Sequence, residues 1–237
     1  MQRNKRTIQF TGEQIKKYSS SEISGTGYLA YRDIIKFSLF NEVIFSKVLD
    51  LGCGAGRSTK FLSKFCDKVS GVDISEGMLN IAEKALPDHK FYINNHKDET
   101  YPFSPYTVIY SILMFFHFSN IEDIRQELKK CFDSLINLGY LIIINGTRNL
   151  YTQNYLSVKG IGKPPENDGD ACEVELKSID CKVKDYFWNE NTIIEGAKQS
   201  GFTFVASHYP LGKNEDTQEY KDELEFPPYY YLAFKKI

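Results

Sequence analysis

The 237-residue sequence has no apolar run long enough to span a bilayer and no excess of basic charge, and both absences narrow its function. A transmembrane helix needs about 20 consecutive apolar residues. The opening Met1-Gln2-Arg3-Asn4-Lys5-Arg6 leads into a mixed segment, so neither a signal peptide nor a membrane span is expected. Lysine and arginine total 29 against 31 acids, a net charge of −2, which speaks against a nucleic-acid partner because phosphate binding rests on clustered cations. The five cysteines (Cys53, Cys66, Cys131, Cys172, Cys181) are odd in number and show no C-x-x-C spacing. No zinc or other metal site and no disulfide framework is suggested, and a reducing cytoplasm is the expected location. Two nucleotide fingerprints are missing as well. In G-x-G-x-x-G/A counted from Gly52 the third small residue would be Arg57, and G-x-x-x-x-G-K-[ST] fails at the same position.

What is present is a short run of high information. Val48-Leu49-Asp50-Leu51-Gly52-Cys53-Gly54-Ala55-Gly56 reads as a buried strand ending in an acid, followed by three alternating glycines. Glycine lets backbone amides approach a ligand closely. Arg57-Ser58-Thr59-Lys60-Phe61-Leu62 continues with helical spacing, so a helix N-terminus reaches the same spot. A second strand, Lys68–Ser75, places Asp73 at its carboxyl end, seventeen residues beyond Gly56. At that position of an α/β sheet an acid receives the two hydroxyls of a ribose, two donors matched by two acceptor oxygens. Ser75 caps a helix expected over Glu76–Leu86.

The run D-x-G-x-G-x-G resembles the first motif of the class I S-adenosylmethionine-dependent methyltransferases. The resemblance implies S-adenosyl-L-methionine as cofactor, with S-adenosyl-L-homocysteine as product. It implies cofactor contacts from Tyr18, Asp50, Gly52, Cys53, Gly54, Gly56, Asp73, Ile74, Met78, Asn95 and Ser111, with Ile74 against the adenine ring. It also implies a Rossmann-like α/β fold, a doubly wound sheet of seven strands whose last strand is antiparallel. The pattern carries this through: further strands are expected at Phe91–Asn94, Thr107–Ser111, Tyr140–Asn145, Phe202–Ser207 and Tyr229–Lys235, with helices over Ile121–Ile136 and Thr192–Ser200. One departure concerns adenine. The acid expected after the third strand is replaced by Asn94-Asn95-His96-Lys97-Asp98, leaving Asn95 or Asp98 to receive the adenine amine.

Residues 1–237 read as a single methyltransferase domain with two additions. The segment 1–40, holding Tyr18 and Tyr28, is expected to fold over the cofactor as a lid. The segment 149–189 is an insertion after strand five, with a mobile-looking Gly160–Gly169 run and β-like Glu173–Leu176 and Lys182–Trp188. It lies over the carboxyl edge of the sheet, where α/β proteins bind ligands. Its Tyr151, Tyr155 and Trp188, with Tyr28, are either the wall of a substrate pocket or ordinary core aromatics, since such side chains serve both uses.

Signatures after strand four exclude several acceptors. Ser111-Ile112-Leu113-Met114 is not the D/N-P-P-Y/F/W of enzymes that methylate exocyclic base amines, and none of the five cysteines follows a proline as carbon methylation of cytosine requires. Met114-Phe115-Phe116-His117-Phe118 instead resembles a stretch common in small-molecule methyltransferases. His117 is either a general base for an O–H or N–H acceptor or a buried histidine at a helix start. The segment 149–189 carries five lysines against seven acids, a balance that repels phosphates. The expected activity is methyl transfer to an O or N atom of a small molecule by in-line displacement. An RNA or protein methyltransferase and a catalytically silent cofactor-binding protein are the alternatives. No oligomeric state is assigned.

Overall fold

Short apolar runs alternate with amphipathic stretches, and the chain folds accordingly. The computed structural model of the protein describes residues 12–66 and 68–237, so the first eleven residues of the expected lid lie outside it. The described elements are α1 (Glu13–Ser19), α2 (Ile34–Phe40), β1 (Val48–Leu51), α3 (Arg57–Leu62), β2 (Val69–Asp73), α4 (Glu76–Ala85), β3 (Lys90–Ile93) and β4 (Tyr106–Ile112). They continue with α5 (Ile121–Asp133), β5 (Leu135–Gly146), β6 (Val158–Ile161), β7 (Ala171–Leu176), β8 (Cys181–Tyr186), α6 (Glu190–Gln199), β9 (Phe202–His208) and β10 (Tyr229–Lys236).

Seven strands form one sheet in the order β3-β2-β1-β4-β5-β10-β9. The first five are parallel, and β10 runs antiparallel between β5 and β9. This is the doubly wound α/β sheet with an antiparallel last strand that the pattern predicts. Its interior strands are apolar on both faces because both are covered. Tyr140, Ile142 and Ile144 of β5 pack on one side with Val48 and Val108, and Leu141 and Ile143 on the other with Leu49 and Ile109. The order reverses between β1 and β4, so the crevice beyond their carboxyl ends is the expected ligand site. No helix among the described residues is long and apolar enough to cross a membrane.

Two local expectations change. The helix predicted to reach Ile136 stops at Asp133, capped by Ser134, and Leu135 already pairs with Tyr106 at the start of β5. A register shift follows, with Leu138 in the left-handed region (φ 64°). At Gly139 a Cβ would sit 2.9 Å from the Ile136 carbonyl oxygen. A bulge fits that stretch; a further helical turn does not.

The insertion forms its own antiparallel sheet, β6-β7-β8. The start of the mobile-looking Gly160–Gly169 run is therefore strand. Gly160 lies against the 3-10 turn Arg148–Tyr151, where a Cβ would meet the Tyr151 carbonyl oxygen at 2.3 Å. Across β7 and β8, Glu173 pairs with Lys184 and Glu175 with Lys182, while Val174 and Val183 face inward. Asp185 follows the same alternation inward and is 2 % exposed.

Candidate active site

The loop after β1 supplies the backbone of a cavity with about 930 Å³ of empty space, open at the carboxyl edge of the sheet. Gly52 and Cys53 donate their amides to the Val72 carbonyl (2.8 and 3.1 Å), which ties the loop to β2. Two glycines do different work. At Gly52 (φ 75°) a Cβ would lie 2.5 Å from Met114 Cγ, so the close packing excludes a side chain. At Gly54 (φ 53°) a Cβ would meet nothing within 4 Å, because the residue faces the open cavity. The Gly54 amide donates to Asp73 Oδ2 (2.9 Å), and the Ser75 amide donates to Oδ1 (2.8 Å). Burial raises the Asp73 carboxyl above its ordinary range, opposed by these backbone hydrogen bonds. Each carboxylate oxygen accepts more than one bond, so both retain capacity for a ligand.

Seven of the predicted cofactor residues line this cavity: Tyr18, Gly52, Cys53, Gly54, Asp73, Ile74 and Met78. Four do not. Gly56 packs its α-carbon against Ala82 and Leu86 of α4 and its neighbourhood. Ser111 lies fully buried in β4, level with Leu51. Asp50 is fully buried beneath the loop, where Oδ2 accepts from Ser58 (2.7 Å) and Thr59 (2.6 Å). Burial pushes its carboxyl up to about 6, against the two hydroxyl hydrogen bonds. Its role there is to fasten the first turn of α3 to β1.

Asn95 is the fourth, and the reason is alternation. The Asn94 amide extends β3 by bonding the Asp73 carbonyl (2.8 Å), which turns Asn94 inward and Asn95 out. The exposed Asn95 bonds Asp98 (3.1 Å) and the Lys97 amide (3.2 Å). The inward position is filled instead by a cluster that sequence reasoning missed: Asn94, His96 and Glu127, the last from α5. Glu127 accepts from Asn94 Nδ2 (2.9 Å) and the Tyr101 hydroxyl (2.5 Å), with His96 Nδ1 at 3.6 Å. Burial opposes its charge, but the hydrogen bonds from His96, Tyr101 and Asn94 outweigh that and hold the carboxyl below its ordinary range. The available signal was the acid on an otherwise apolar face of the predicted helix, one turn from Ile124 and Cys131.

A second cavity, about 710 Å³, lies beneath the insertion sheet. Tyr18, Arg57, Leu113 and His117 border both cavities. Its walls are mainly aliphatic: Leu150, Val158, Val174, Leu176 and Val183. The predicted aromatics are elsewhere. The Tyr155 hydroxyl donates to the Phe226 carbonyl (3.0 Å), Trp188 Nε1 donates to the Phe118 carbonyl (2.9 Å), and Tyr151 packs edge-on against Phe187. Tyr28 lies in a 3-10 turn over Gly25–Ala30. None of the four borders either cavity. Tyr151 and Tyr155 pack in the core with the insertion strands, and Trp188 in the core on the other face of the central sheet, each ring burying area while a polar tip such as that of Tyr155 or Trp188 stays bonded.

His117 ends a 3-10 turn, Phe115–His117, directly after β4. Its Nδ1 is 3.6 Å from Asp185 Oδ1, so the inward acid of β8 meets the histidine across the second cavity. Burial pushes the imidazole down to about 4 and the Asp185 carboxyl well above the carboxylate range. Asp185 was legible as the polar residue at an inward position of Cys181-x-Val183-x-Asp185.

Comparison with known proteins agrees with this geometry. Residues 48–139 match the family model described as a methyltransferase domain. The demethylmenaquinone methyltransferase of Thermotoga maritima is 35 % identical over 109 residues, 45 % of this chain and 46 % of that protein. The chain thus spans a little under half the length of the first curated relatives it matches. Among solved structures, a protein of Pyrococcus horikoshii superposes with a TM-score of 0.66 at 20 % identity, covering 96 % of this chain and all of its own. An S-adenosylmethionine-dependent methyltransferase of Clostridium acetobutylicum gives 0.62 at 15 % identity, covering 88 % of this chain and 92 % of its own. The glycine loop and the acid after β2 thus lie within a stretch that matches a methyltransferase domain, and the seven-stranded order is the fold of the solved S-adenosylmethionine-dependent methyltransferase it superposes on.

Proposed function

We propose that this protein uses S-adenosylmethionine to methylate an oxygen or nitrogen atom of a small, largely apolar molecule held in the second cavity. The observation that carries the reading is the shared wall of Tyr18, Arg57, Leu113 and His117, where ligands of the two cavities meet. The first cavity suits the cofactor: an open cradle at Gly54 and a carboxylate with spare acceptor capacity at Asp73. The glycine loop would hold the methionyl portion, Asp73 the ribose diol, and Ile74 and Met78 the adenine ring. Asn94, His96 and Glu127 would meet the polar edge of that ring.

When bound, the cofactor supplies a methyl group already activated by its positive sulfur. The protein's part is alignment and exclusion of water more than acid–base power. The aliphatic walls beneath β6, β7 and β8 hold the acceptor and keep the chamber dry. His117, neutral at physiological pH, receives the proton released by an O–H or N–H acceptor, and Asp185 stands behind it on Nδ1. The outer face of the insertion sheet pairs Glu173 with Lys184 and Glu175 with Lys182, which supports a small acceptor over a polyanion. Location in the cytoplasm belongs to the same reading.

The test is methyl transfer from labelled cofactor to total RNA, total protein and a small-metabolite extract, separated by size. Label in the small-molecule fraction is the expected result. Label mainly in RNA or protein would overturn the reading, and tight cofactor binding without label in any fraction would point to a silent binder.

A further inference from the structure

Arg57 differs from the other described arginines in its partners. Arg32, 11 % exposed, is paired with both Asp33 (2.9 Å) and Asp216 (2.7 Å). Arg125 is paired with Glu122, and Arg148, which donates to the Pro165 carbonyl, is exposed to water. Arg57 has no carboxylate within ion-pair distance among the described residues. Its Nη1 donates to the Ser21 hydroxyl and its Nη2 to the Tyr18 hydroxyl (3.0 Å), with the guanidinium 4.9 Å from the centre of the Tyr18 ring. Its Nε is buried and has no hydrogen-bond partner. A guanidinium stays charged at any relevant pH and presents a planar fork of donors that matches a carboxylate. Withdrawn from water without a counter-charge, it favours any anion that reaches it.

Its surroundings narrow the anion. Arg57 borders both cavities, and the second is lined by aliphatic side chains together with four serines, Tyr18 and Tyr229. Of the remaining ionisable groups there, burial drives His117 and Asp185 toward their neutral forms, and Glu22 is exposed at the rim. The chamber therefore presents one fixed positive charge where it meets the first cavity, within walls of aliphatic side chains and neutral hydroxyls. We infer that the methyl acceptor is a small apolar carboxylic acid whose carboxylate is held by Arg57. The inference rests on the proposed assignment of the second cavity to the acceptor. A carboxylate could also reach Arg57 from the amino-acid portion of the cofactor, and the experiment separates the two sources.

A small-metabolite extract is first divided on an anion-exchange resin at pH 7, and each fraction is assayed for methyl acceptance from labelled cofactor. Acceptance confined to the retained, acidic fraction is expected, and is extracted into organic solvent once that fraction is acidified. In Arg57→Met the KM for this fraction should rise about tenfold to a hundredfold, the range for losing a hydrogen-bonded charge, with Arg57→Lys between the two. In parallel, calorimetry compares S-adenosylhomocysteine with 5′-methylthioadenosine, which lacks the carboxylate. Both should bind Arg57→Met as they bind the parent protein, which also shows that the variant is folded. Acceptance in the unretained fraction would overturn the inference while leaving small-molecule methylation standing. Weakened binding of S-adenosylhomocysteine but not of 5′-methylthioadenosine would assign the arginine to the cofactor and overturn it too. Label only in RNA or protein would remove the underlying reading itself.

Discussion

The two cavities that meet at His117 are built differently. The first takes its base from one stretch between residues 48 and 75, a glycine loop, the ends of β1 and β2, and a carboxylate fastened by two amides, with side chains such as Asn94, His96 and Glu127 closing it. The second is made from side chains that approach from Tyr18, Leu150, Val174, Asp185 and Tyr229. Backbone geometry is hard to vary without losing the fold, so a site built from it suits a ligand shared by many enzymes. Side chains on an added sheet can be exchanged singly, so a site built from them suits a ligand particular to one enzyme.

The largest expected effect breaks the first cavity alone. Gly54→Val fills the open cradle and forces a branched residue into the left-handed region, so calorimetry should find no measurable binding of S-adenosylmethionine or its product. Retained micromolar affinity would remove the loop from the cofactor site. Next comes the junction. His117→Ala should lower turnover about a hundredfold with cofactor affinity intact, measured by steady-state kinetics beside calorimetry. Loss of melting temperature and cofactor binding together would instead identify a packing histidine. Asp73→Ala should weaken cofactor binding by about 1.5–3 kcal/mol, the range for hydrogen bonds to a charged group, with acceptor KM unchanged. Val174→Phe reverses that split: it narrows the second cavity, so acceptor KM should rise several-fold and cofactor affinity should not move. A change in both constants would show that the cavities are not separable.

The smallest effect is read through pH, because Asp50 and His117 respond with opposite sign. Asp50 titrates near 6 when folded against an ordinary 3.8, so between those values the folded protein holds a proton that the unfolded chain has released. Its contribution to stability is present below about 3.8 and is lost as pH rises through 6. His117 titrates near 4 against an ordinary 6.5, so its contribution is present above 6.5 and is lost as pH falls through 4. Melting temperature measured from pH 4 to 8 should shift by a few degrees in each direction. Asp50→Asn should lessen the fall on the alkaline side, which Asp73 and Asp185 share, and His117→Phe the fall on the acid side, which Glu127 shares; profiles unchanged in both variants would place neither titration in the folding equilibrium.

What was legible in the sequence follows from range. The glycine loop, Asp73 and the strand order depend on contiguous residues and on period-two or helical spacing, so they could be read directly. Asn95 could not be placed, because whether β3 ends at Ile93 or one residue later decides which asparagine faces inward. Glu127 and Asp185 were visible only as polar residues on apolar faces, with nothing local to say which cavity each face would border. The aromatics of the insertion suit a pocket wall and a core equally well by sequence; packing on either face of the central sheet takes them for the core and leaves smaller aliphatic side chains to line the chamber.

By itself, then, the sequence determined a glycine loop after the first strand, an acid at the end of the second and a seven-stranded sheet with its last strand reversed. These rest on local conformational preference: glycine where a side chain cannot fit, alternation where a strand has two faces, an acid where a strand ends. Only the tertiary structure decided that Glu127 reaches the first cavity from α5, that Asp185 of the insertion meets His117, and that Arg57 stands at the boundary with no acid in ion-pair distance among the described residues. Each of these is a distance between segments far apart in the chain, set by how the insertion sheet and the helices pack on the central strands.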